Sequence, residues 1–145
     1  MTPESERLVR DSWERLRSED TELVEVFYDH LFAINPGLRH LFASTSMELQ
    51  RTKFTVMITE IVSALGDPAQ LVRTVAPSGR RHVQYGVKPS DYDDVGAALL
   101  WAIGSVLGAE FTPELKSAWR EAYTLLSAVM KRAGEQEQRG IPVRP

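Results

Sequence analysis

The spacing of apolar residues predicts an all-α domain built from six or seven short helices. Three observations carry that expectation. Apolar side chains recur at helical intervals nearly throughout, and no stretch alternates as a strand would. Breaks rich in proline and glycine fall near 34–37, 66–68, 77–79 and 86–90. An up-down bundle would use fewer, longer helices, whereas short joints suit helices that cross at large angles around a cavity. Finally, 145 residues suffice for one core and not comfortably for two.

Each element has its own signals. Thr2 before Pro3 opens the first helix, a hydroxyl to cap free amides and a ring that fits the first turn. Leu8, Val9, Trp13 and Leu16 form its stripe. A second helix is expected over about 21–33, with Leu23, Val26, Phe27, Leu31 and Phe32 apolar, until Pro36-Gly37 and a short turn that ends at Phe42. Thr45 with Glu48 reads as a capping box for a helix that runs to about Leu65. Gly66-Asp67-Pro68 ends that helix and caps the next. Pro77 and Gly79 are expected to break this next segment, leaving a short helix over about 78–85 closed by Gly86. Pro89-Ser90 with Asp93 opens another, which Gly108 ends. Thr112-Pro113 starts the last, with Leu115, Trp119, Tyr123, Leu126 and Met130 facing inward. One domain over 1–133 is expected, followed by a polar, disordered tail over 134–145.

Composition excludes several chemistries. The chain has no cysteine, so disulfides, zinc–thiolate sites, iron–sulfur clusters and a cysteine nucleophile are ruled out. The net charge of −3, with Lys and Arg spread along the chain, favours neither a nucleic-acid nor a membrane partner. The N-terminal stretch is charged and amphipathic and lacks the apolar core of a secretory signal. The longest uncharged run, Val95–Ala109, is shorter than the roughly 18–20 residues that span a bilayer. A cytoplasmic protein is expected.

There are three histidines: His30, His40 and His82. A lone histidine on a helix is more often solvated or satisfied in a core than bound to metal. His82 has an unusual setting, RRHVQYG, between a Pro/Gly break and long apolar helices. One imidazole alone holds a metal weakly; a haem removes the difficulty, because the macrocycle supplies four nitrogens.

The segments FYDHLFAINPGLRHLF, SGRRHVQYGVKPSDYDDVGAALL and LGAEFTPELKSAWREAYTLL, in this order and spacing, resemble globins over about 8–132. The likeness is to bacterial single-domain globins of the Vitreoscilla type, to the haem domain of flavohaemoglobins and to neuroglobin. It implies a globin fold of six to eight helices around a pocket for haem b (iron protoporphyrin IX), with His82 as the proximal iron ligand. Phe42, six residues after Pro36, matches the phenylalanine that lies on the porphyrin. The family's spacing from the proximal histidine puts Gln50 over the iron, with Arg51 as fallback because the preceding loop is short. Tyr28 matches the tyrosine that faces the bound gas. Both are donors, and bound O2 carries partial negative charge that donors stabilise in a dry pocket. Without the resemblance, Tyr28 is as readily a core aromatic and Gln50 a solvated residue. No histidine lies between 46 and 65, so a five-coordinate ferrous haem is expected rather than the bis-histidyl haem of neuroglobin.

Further haem contacts are expected from Phe54, Val87, Tyr92, Val95 and Leu99; Lys53, Arg81 and Lys88 are candidates for propionate contacts and read at least as readily as plain surface charges. Tyr92 also matches a tyrosine through which flavohaemoglobins orient the proximal histidine with a glutamate. That glutamate's position is Gly134 here, with Glu135 beside it, a departure that weakens the case for a peroxidase-like proximal side. The resemblance implies binding of O2, CO and NO, for oxygen storage, delivery or buffering. The alternative is NO dioxygenation. The chain ends about a dozen residues past the expected last helix, so no flavin or nicotinamide domain is expected and a separate reductase would supply electrons. A haem sensor ranks below both for want of an output domain. The chain is expected to be a monomer or a homodimer.

Overall fold

The computed structural model describes residues 1–140. Among these it holds six α-helices, two 3₁₀ segments and no strand. The first helix, α1 (Pro3–Ser18), starts as expected: the Thr2 hydroxyl accepts from the Ser5 amide at 3.0 Å. Glu4 and Glu6 stand in its first turn and Arg15 and Arg17 in its last, both favourable to the helix dipole. Val9, Trp13 and Leu16 are buried. Helix α2 (Asp20–Ile34) leads through Asn35 into a 3₁₀ turn over Pro36–Phe42. The Asn35 side-chain amide donates to Asp91 and Asp94, which pins this corner to the start of a later helix.

Helix α3 (Met47–Ala64) is capped by Ser46, whose hydroxyl accepts from Leu49 N at 3.1 Å. The expected cap, Thr45, instead accepts from the Gln50 side chain, because the chain is already extended at Ser46. Asp67 caps α4 (Pro68–Gln84) as its position before Pro68 suggests. Helix α4 then passes unbroken through Pro77, and the expected break at 77–79 is absent. Proline forfeits one backbone bond and costs roughly 3 kcal/mol inside a helix. Burial of Val75, Ala76, Ser78 and Gly79 against the final helix offsets that cost.

Gly86, at φ +94°, turns the chain out of α4. Helix α5 (Asp91–Leu107) opens without a bond from the Ser90 hydroxyl; the Asp91 carboxylate reaches back to accept from Lys88 N. Gly108 ends it at φ +58°. After a 3₁₀ turn at Gly108–Glu110, Thr112 caps α6 (Pro113–Gln138). This helix continues past Gly134, so the expected tail is helical over 134–138; residues 141–145 lie outside the described residues. The reason is packing. Gly134 is buried, and a Cβ there would stand 2.4 Å from the Val83 side chain.

Trp13 and Trp119 meet edge-on, centroids 6.3 Å apart, where α1 and α6 pack. Their indole N–H groups donate to Thr59 and Ser12, so this end of the core is fully satisfied. Val56, an apolar residue of α3, is 52% exposed. No helix among the described residues is long and apolar enough to cross a membrane.

Candidate functional site

The other end of the core is open. A largely apolar cavity of about 240 Å³ lies among α2, the 3₁₀ turn, α3, α4, α5 and α6. A second, of about 620 Å³, adjoins it and extends between α3 and α4. Tyr28, Phe42, Gln50, Phe54, His82 and Val87 line both. Tyr92, Val95 and Leu99 line the inner cavity only. Lys53 and Arg81, both exposed, line the outer one, whereas Lys88 reaches neither.

His82 sits in the last turn of α4, half-buried. Its Nδ1 lies 2.6 Å from the Ser78 carbonyl oxygen and 3.3 Å from the Ser78 hydroxyl. A carbonyl only accepts, so Nδ1 carries the proton and Nε2 keeps its lone pair. Burial lowers the pKa of the ring, the Ser78 carbonyl opposes this, and the Arg81 charge adds to the lowering. The result is a neutral imidazole, the form that ligates a metal. Tyr92 lies 6.4 Å away, centroid to centroid, with its ring 28° from that of His82.

Tyr28 is buried in an aromatic nest, its ring 4.9 Å from Phe27 and 5.2 Å from Phe42. Its side chain lines the cavity, and no buried side-chain polar atom among the described residues is left without a partner. Burial pushes its pKa up to about 12, so it remains a proton donor at neutral pH. Gln50 is half-buried, its side-chain nitrogen 3.3 Å from the Thr45 hydroxyl. Arg51 points elsewhere, donating to the Thr21 hydroxyl.

The remaining histidines stand apart from both cavities. His30 stacks on Trp101 and His40 bonds to the Gly37 carbonyl. Glu135 is exposed and pairs with Arg139 at 3.7 Å. The partner of His82 is thus a backbone carbonyl and not a carboxylate. Ser78 was missed by sequence reasoning, although a buried serine four residues before a ligand-competent histidine is a legible helical pair.

The donor set decides which group fits. Among the described residues no three His, Asp or Glu side chains could share a metal ion. One free imidazole nitrogen over an apolar, aromatic cavity suits a metal that brings its own equatorial ligands. The globin family model matches residues 25–130 of this chain. The chain is a globin.

Relatives agree. This globin is 29% identical to neuroglobin from Tetraodon nigroviridis over 145 aligned positions, covering 91% of each chain. It is 34% identical to a flavohemoprotein from Bacillus subtilis, over 70% of this chain and 26% of that protein. A flavohemoprotein from Rhodopirellula baltica is 30% identical over 94% of this chain and 35% of its own. The chain therefore spans about a quarter to a third of these flavohemoproteins and nearly all of neuroglobin. Globin membership implies haem-based binding of small diatomic gases such as O2.

Proposed function

We propose that this globin holds haem b through His82 Nε2 and takes up O2 reversibly, for storage, delivery or buffering in the cytoplasm. The observation that carries this reading is the His82–Ser78 bond, which leaves one imidazole nitrogen free toward a cavity that Tyr28 also lines. When bound, the haem supplies the iron at which O2, CO or NO coordinates. The protein's own residues do the rest. Ser78 fixes the ring of His82 and its tautomer. Phe42 offers a ring to the porphyrin face, with Phe54, Val87, Tyr92, Val95 and Leu99 excluding water around it. Lys53 and Arg81 stand at the outer mouth, where propionates would emerge. Tyr28 offers a donor at the cavity wall, and Gln50 adds a second by giving up its long bond to Thr45.

NO dioxygenation, with electrons from a separate reductase, is the second reading. The paired donors Tyr28 and Gln50 suit it as well as they suit storage, since both readings need bound O2 held against escape. The carbonyl partner of His82 favours storage, because a carboxylate there would lend the imidazole more negative charge.

Absorption spectra of the reduced protein, with and without O2, test the reading. A five-coordinate ferrous spectrum that shifts reversibly with O2 is expected. His82→Ala should abolish that spectrum; haem retained with an unchanged ferrous spectrum would place the ligand elsewhere. Rapid NO consumption under O2 with an added electron donor would move the balance to the enzyme.

A further inference from the structure

Away from the haem cavity, the outer face of α5 carries an apolar feature. Trp101 is 59% exposed. Its ring stacks on His30 of α2, centroids 4.6 Å apart and planes 7° from parallel. Held in this way, the indole is a fixed projection and not a loose surface side chain. Trp101 and His30 themselves line a groove of about 640 Å³ together with Leu100, Gly104 and Phe111, and Lys116 and Arg120 also line it. Gly104 shapes the groove, since a Cβ there would come within 3.1 Å of the Phe111 ring. A fixed projection and a mostly apolar recess thus lie on one face.

The charges around them are ordered. Helix α5 packs against α2 on one side and α6 on the other. On the α2 side, Glu22, Glu25 and Asp29 are exposed and have no cation partner among the described residues. On the α6 side, Lys116 and Arg120 are exposed and equally have no carboxylate partner among the described residues. Unpaired acid on α2, the indole and groove on α5, and unpaired base on α6 thus belong to elements packed side by side.

We propose that this face binds a second copy of the chain, as a two-fold homodimer in which each Trp101 enters the partner's groove. With the axis running along α5, α2 of each protomer lies over α6 of the other, and the acidic edge meets the basic one. An axis across α5 would set acid on acid and base on base, which disfavours it. The contact is the same patch used twice, as closed two-fold symmetry requires.

Sedimentation velocity of the haem-loaded protein over a concentration series tests this. A reversible dimer is expected, weakened by added salt because its rim is ionic. Trp101→Arg should raise the dissociation constant at least about tenfold, as loss of a central aromatic anchor does, with haem spectrum and helicity unchanged. Two charge variants complete the test: Glu25→Lys with Asp29→Lys, and Lys116→Glu with Arg120→Glu. Each alone should be monomeric, and an equimolar mixture should form a heterodimer. A monomer at every concentration, a dimer indifferent to Trp101→Arg, or charge variants that stay apart when mixed would each overturn the proposal.

Discussion

At His82 a single hydrogen bond sets the tautomer: the Ser78 carbonyl accepts from Nδ1–H, and Nε2 keeps its lone pair. In the sequence His82 stood out because its segment follows Pro77 and Gly79, although α4 runs unbroken through both. Its bond did not, since a backbone acceptor leaves no residue-type signal. Tyr28 was legible only through family likeness; a tyrosine in a stripe of phenylalanines otherwise reads as core, and four aromatic rings do surround it. Its hydroxyl is the residue-scale prediction. Tyr28→Phe removes a donor and leaves the packing nearly intact. Bound O2 carries partial negative charge, and a hydrogen bond to such a group is worth about 1.5–3 kcal/mol. O2 dissociation should therefore quicken by roughly one to two powers of ten. CO carries little charge and its release should change far less. Stopped-flow measurement of both gases separates electrostatics from shape. Equal changes for the two, or none for O2, would take Tyr28 out of the gas site.

Among the elements, the starts were easier to read than the ends. Thr2, Asp67 and Thr112 each precede a proline, and each caps its helix, because a side-chain acceptor and a fixed φ act locally. The errors fall where distant residues decide. Pro77 and Gly79 signal a break, and Gly134 signals an end, yet both helices run through. The two glycines belong to one contact. A Cβ at Gly79 would stand 2.6 Å from the Met130 carbonyl oxygen, and one at Gly134 would stand 2.4 Å from Val83 Cγ2. Each glycine lets α4 and α6 approach. Gly79→Ala meets backbone that cannot yield, and should destabilise by about 1–3 kcal/mol despite alanine's better helix propensity. Gly134→Ala meets only a side-chain methyl. Adding Val83→Ala should therefore recover much of its loss, while no such partner change rescues Gly79→Ala. Urea unfolding of these three variants checks the pattern, and a Gly79→Ala protein as stable as the parent would refute the close contact.

On the scale of the whole molecule, one end of the core is filled by tryptophans and the other is kept open and rimmed by tyrosines. Helices crossing around a cavity could be read from the short segments. Which residues wall it could not, because six elements distant in sequence meet there. The tyrosines yield a prediction about the fold as a unit. Burial raises the phenols of Tyr28 and Tyr92 from 10.0 to about 12, with Asp91 adding to the shift at Tyr92, and burial raises that of Tyr123 further. Tyr123 also donates its proton to the Tyr92 carbonyl, a bond that ionisation would break. In the unfolded chain all of these phenols lose their protons near the ordinary value. A group whose folded pKa is raised gives stability that is complete below its unfolded pKa and is lost as pH climbs toward the folded one. The protein should thus hold its stability up to about pH 10 and shed it steeply between about 10 and 12. For Tyr28, two units correspond to about 2–3 kcal/mol. Phenolate absorbance followed together with helicity checks this. In the parent, part of the phenolate signal should appear only as the helices melt, since the buried phenols ionise on exposure. Tyr28→Phe should make the alkaline loss of stability shallower, because the folded and unfolded states then differ by one fewer proton. Complete ionisation of every tyrosine near the ordinary value, in a chain still fully helical, would mean that the walls of this cavity are wet and that the Tyr28 hydroxyl does not face a dry pocket.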